Sequence, residues 1–173
     1  TQILNKAGAV ARGEYLVWVM ADSYPHKDFL LELQRVVNDD AIYNGLRINV
    51  DGQGRVLSAD WRTDHVLFDL GASVVDITDR KYPWKMMTLN TMCMLREAYN
   101  DMGGIYPEYD GYGKMDWDMA AWSYYNGYKL RWVPKAIAYH RHHKERKDTE
   151  KSTEIFEERL KSFQQNNEIS TRV

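Results

Sequence analysis

The chain has 173 residues, 44% hydrophobic and 28% charged, which fits a folded domain with a sizeable core and excludes a disordered polypeptide. With 23 Lys and Arg against 25 Asp and Glu, the formal net charge is −2, so a nucleic-acid binder working through a strongly positive field is excluded. One cysteine, Cys93, rules out an internal disulfide framework and a multi-cysteine metal site. No apolar run is long enough to span a membrane and no signal peptide is visible, so the expected setting is cytoplasmic.

Residues 1–12 carry Ile3, Leu4, Ala7 and Val10 at helical spacing, with Gly13 as a stop. Tyr15 to Met20 is apolar on both faces, as in a strand buried within an α/β sheet. Asp22 or Ser23 is expected to cap the next helix and Pro25 to lie in its first turn, with Phe29, Leu30, Leu33, Val36 and Val37 as its apolar stripe. Ala41 to Val50 reads as a strand that turns at 51–54 and pairs back through Arg55 to Ser58. Two further strands are expected at His65–Asp69 and Ala72–Ile77. The apolar run Met86–Leu95 leads into a short helix from Arg96 that stops at Gly103-Gly104. After a Tyr/Gly-rich loop, Met115 opens a helix ending at Asn126-Gly127. Tyr128–Val133 and Ala136–Tyr139 read as two short strands separated by Pro134. The expected organisation is an α/β domain over 1–143 and a charged tail over 144–173, where Phe156, Leu160 and Phe163 form a thin helical stripe.

Three groups stand where such a fold exposes side chains. Asp22 follows a buried strand, in the crevice position of α/β sheets, yet it serves equally as a helix cap. Asp116 and Asp118 open a helix, where the dipole favours acids whether or not they do chemistry. His140 follows a strand; with His142 and His143 it forms a cluster of no recognised ligand spacing. A divalent cation bound to phosphate takes oxygen ligands, and imidazole completes the set for manganese. On composition and spacing alone the chain is an α/β domain with an acidic crevice.

The order of the segments adds a resemblance. Asn5, then Ala11-Arg12-Gly13-Glu14-Tyr15 and the strand ending in Met20-Ala21-Asp22-Ser23, resembles the approach of family 2 glycosyltransferases to their metal-binding DxD motif. Arg96 to Glu108 with its Gly103-Gly104, Gly111 to Met119 with Asp116 and Asp118, and Asn126-Gly127-Tyr128 through Val133-Pro134 to His140 resemble the family's later segments. The resemblance implies a GT-A fold, a Rossmann-like mixed sheet flanked by helices. It implies a Mn2+ or Mg2+ ion held by Asp22 and His140, and Asp116 as general base. Asn90, Trp117 and Asp118 would then serve donor or acceptor binding. The partners implied are a nucleotide-diphosphate sugar donor and a carbohydrate or other hydroxyl acceptor. The family's nucleotide-binding strands precede the DxD strand, so the chain is expected to be the C-terminal, acceptor-side portion of such a domain. A longer polypeptide or a partner subunit would supply the rest. Met20 and Met115 stand where the family carries acids, and a thioether does not replace a carboxylate toward a hard cation. The rival expectation is therefore a non-catalytic carbohydrate-binding or assembly subunit derived from a glycosyltransferase.

Overall fold

The computed structural model, which describes residues 1–38, 40–60, 71–109, 113–143 and 150–170, combines strands and helices. They run α1 (Gln2–Val10), β1 (Tyr15–Val17), β2 (Ser23–Pro25), α2 (Phe29–Gln34), β3 (Ala41–Val50), β4 (Val56–Ala59) and β5 (Val75–Asp76). A 3-10 turn at Pro83–Met86 then precedes β6 (Met92–Leu95), α3 (Arg96–Asp101), α4 (Met115–Tyr125), β7 (Lys129–Arg141) and α5 (Glu150–Ser170). Among the described residues the seven strands form one mixed sheet in the order β1-β6-β3-β7-β2, with β4 beside β3 and β5 beside β7. Only β3 and β7 run parallel.

Alternation along β3 divides the core between the two faces of this sheet. Ile42 and Leu46 belong to the larger cluster, with Trp84, Met119, Leu130, Trp132, Ile155 and Phe156. Ala41 and Tyr43 belong to the smaller one, built around Phe29 and Leu33 of α2. Cys93 is buried on that second face, and burial pushes its thiol up to about 12.

One strand, β7, replaces the expected pair. Its register against β3 steps from Gly45↔Val133 to Leu46↔Ile137, so three extra residues, among them Pro134, bulge out of the ladder. Proline has no N–H to give a ladder, and the bulge asks for none. An odd insertion also resets the alternation. Leu130 and Trp132 face the larger cluster, whereas Ala136 and Ala138 face the smaller. Gly45 sits opposite the bulge, where a Cβ would collide with the Ala136 carbonyl oxygen and lie 2.9 Å from the Phe29 ring.

Other expectations shift. Ser23–Pro25 pairs with Ala138–His140 as a strand, so the following helix begins only at Phe29, with Asp28 at its cap. Leu30 is exposed, as are Ile3 and Val10 of α1. The Ala72–Ile77 strand shrinks to Val75–Asp76, and the Met86–Leu95 run is a 3-10 turn and a loop before β6. The strand expected at His65–Asp69 lies outside the described residues. The hairpin at 51–54 is present, with Asp51 Oδ1 accepting from the backbone N–H of Gln53 and Arg55.

Two of the segments that carry the resemblance meet in space. Asn5 on α1 donates to the Ile105 carbonyl at 2.6 Å and accepts from the Ile105 N–H and the Tyr99 hydroxyl. Gly103 and Gly104 both turn with positive φ, which lets the chain after α3 reach it. Arg96 donates through Nε to the Gly13 carbonyl at 2.8 Å, tying α3 to the approach of β1.

Candidate metal centre

Pairing of β2 with β7 places Ser23 opposite His140 and makes the Arg141 N–H donate to the Asp22 carbonyl at 2.8 Å. The turn before β2 thus presents the Asp22 carboxylate to the end of β7. His140 Nε2 lies 3.4 Å from Asp22 Oδ2, and His143 Nε2 lies 2.9 Å from the same oxygen. The three ligand atoms fall within 4.8 Å of one another, as needed for one ion to touch all three. Among the described residues this is the cluster of His, Cys, Asp and Glu fit to hold a metal.

The residues fit a divalent cation chemically as well as in spacing. Burial works to raise the Asp22 carboxyl, but the hydrogen bond from His143 and the electrostatic influence of the neighbouring imidazoles outweigh it and hold it below the usual range. Burial, with Arg47 nearby, lowers His140 against the opposing pull of Asp22, which favours the neutral imidazole that a metal needs. One carboxylate oxygen and two imidazole nitrogens suit Mn2+ better than Mg2+, which prefers oxygen alone.

His143 was not singled out by its position in the sequence. Its signal is only the three-residue step from His140, and its place depends on how the chain leaves β7. The His142 N–H donates to the Val50 carbonyl at 2.8 Å, holding that exit against β3 while His143 turns to Asp22.

The other expected residues are carried by other elements. Asp116 is half-buried in the first turn of α4, its Oδ1 accepting from the Trp117 N–H at 3.0 Å. Trp117 packs edge-on to Phe156 and lies under Lys114 Nζ, 3.5 Å from the ring centroid. Asp118 is 1% exposed and paired with Arg159 Nε of α5 at 2.7 Å. Burial raises its carboxyl, with Arg159 opposing. Asn90 is half-buried in the turn before β6. Buried Asn44 braces that turn, accepting from the Thr88 N–H and donating to Thr91 Oγ1. Met20 and Met115 both pack against the larger core cluster.

No family model and no curated protein matches the chain by sequence. Among solved structures it matches a crystal structure of GalNAc-T7 with UDP, GalNAc and Mn2+, at a TM-score of 0.57 and 14% identity. The fold is similar to part of a GT-A glycosyltransferase. The match covers 83% of this chain and 30% of the GalNAc-T7 chain, and at that identity what the two share is the fold.

Proposed function

We propose that the chain carries the metal-binding and acceptor-side part of an inverting, metal-dependent glycosyltransferase. The reaction would move a sugar from a nucleotide-diphosphate donor to a hydroxyl acceptor. The observation that carries this reading is the convergence of Asp22, His140 and His143 at one end of a GT-A-like sheet. The presence of UDP, GalNAc and Mn2+ together in the GalNAc-T7 structure supports the same ligand classes.

A divalent cation bound there would offset the charge growing on the leaving diphosphate. Asp116 takes the proton of the attacking hydroxyl. That oxygen bonds to the anomeric carbon as the bond to the diphosphate oxygen breaks, so one in-line displacement inverts the configuration. Asn90 and Trp117 would serve sugar binding, and Asp118, held by Arg159, fixes the first turn of α4 that carries Asp116. Met20 and Met115 favour a second reading, a carbohydrate-binding or assembly subunit that retains the metal centre without transfer. Both thioethers serve the core in positions where the resembling family carries acids.

Calorimetry with Mn2+ and UDP, paired with a sugar-transfer assay, separates these readings. Asp22→Ala abolishes Mn2+-dependent UDP binding; retained binding would remove Asp22 from the site. In the complete enzyme, Asp116→Asn leaves that binding intact and slows transfer by about a hundredfold or more. Binding without transfer in the complete, unsubstituted protein decides for the second reading.

A further inference from the structure

A row of polar side chains crosses the sheet at the metal centre. The register sets Ser58 of β4 opposite Asn49 of β3, Asn49 opposite His140 of β7, and His140 opposite Ser23 of β2. Asn49 and His140 share the sheet face that carries Ala41 and Tyr43 on β3 and Ala136 and Ala138 on β7, since alternation repeats every two residues. Asn49 Nδ2 donates to Ser58 Oγ at 3.1 Å, which turns its Oδ1 toward His140 Nδ1, also at 3.1 Å. A carboxamide oxygen can only accept, so Nδ1 carries the proton and the lone pair of Nε2 faces Asp22.

His140 Nε2 stands 3.4 Å from Asp22 Oδ2, and His143 Nε2 2.9 Å from the same oxygen. An imidazole lone pair and a carboxylate oxygen set facing each other want a cation between them.

We propose that Asn49, held by Ser58, is a positioning residue of the metal centre, fixing His140 in the Nδ1–H form with Nε2 presented to the ion. The inference rests on the metal-centre reading above, and it makes the β3–β4 hairpin part of the site although it supplies no ligand. The device is a consequence of strand register: a one-residue slip of β4 would carry Ser58 to the other face and release Asn49.

The test pairs long-range 1H–15N spectra of the metal-free chain, labelled at histidine, with Mn2+ calorimetry. The unsubstituted chain shows His140 as the Nδ1–H tautomer. In Asn49→Ala the ring shifts toward Nε2–H and Mn2+ affinity falls about tenfold or more, the usual cost of losing a group that orients a metal ligand. Asn49→Asp keeps an acceptor oxygen and restores both, and Ser58→Ala shifts the tautomer in the same direction as Asn49→Ala. An Nε2–H tautomer in the unsubstituted chain overturns the proposal. So does an Asn49→Ala variant unchanged in tautomer and affinity, or one whose loss of affinity Asn49→Asp does not rescue. If the unsubstituted chain takes up no Mn2+, the metal-centre reading falls, and the spectra still decide whether Asn49 sets His140.

Discussion

Burying Asp118 carries a cost that its pairing with Arg159 offsets. The carboxylate is 1% exposed and its cation reaches it from another helix 41 positions later in the chain. Arg159→Met would leave a buried charge without its partner and cost about 3 kcal/mol at neutral pH, measured by urea unfolding. The sign with pH follows from burial, which raises the Asp118 carboxyl above its ordinary value. Such a group contributes stability below the unfolded carboxylate range and loses it as pH rises through the folded value. The deficit of Arg159→Met therefore shrinks on acidification toward the raised value, where Asp118 takes up a proton and no longer needs the guanidinium. A deficit constant across that window would show that Arg159 acts through packing on Tyr106 and Phe163 instead. Sequence exposed one half of each such pair. Asp22 and His140 stand at the ends of apolar strands, where a sheet must surface. Spacing alone leaves a helix cap and a solvated strand end open, and it is the resemblance in segment order that points both toward a metal. His143 and Arg159 are not legible, because their places follow from a chain exit and a helix docking that no local pattern encodes.

At the scale of elements, strand-sized apolar runs, the 51–54 turn and the glycine stops were readable because each depends on neighbours in sequence. What escaped was pairing. Ser23–Pro25 carries a cap residue and a proline suited to a helix start, and cross-strand bonding to β7 overrides both. The break at Pro134 was visible, but not that the ladder resumes beyond it with its faces exchanged. Gly45 is the element-scale test of that bulge. Gly45→Ala forces a Cβ into the Ala136 carbonyl and the Phe29 ring, neither of which can withdraw without opening the β3–β7 ladder. The expected loss is about 2 kcal/mol, read by urea unfolding, in line with overpacked cores. A neutral substitution would mean that the bulge yields and that the two halves of β7 are not fixed in phase by it.

For the whole molecule, the mixed sheet and its helices were foreseeable from the order of segments, and the likeness to part of a GT-A glycosyltransferase agrees with that order. The candidate metal centre joins parts of the molecule that sequence keeps far apart. Asp22 and His143 are 121 positions apart, so an ion shared between them is a clasp that closes most of the chain into a ring. Free Mn2+ at a hundred times its dissociation constant should add about 2.7 kcal/mol to the unfolding free energy. Most of that gain should appear as slower unfolding, because ligands so distant in sequence meet only after the sheet has assembled. Stopped-flow unfolding checks this: Mn2+ slows the unsubstituted chain, leaves Asp22→Ala unchanged, and a chelator reverses the effect. Faster folding with unaltered unfolding would place the clasp early in assembly. Unlike a disulfide, which needs a redox partner to break, a ring closed by the proposed ion would open whenever that ion is withdrawn, so the lifetime of the fold would become a readout of available metal.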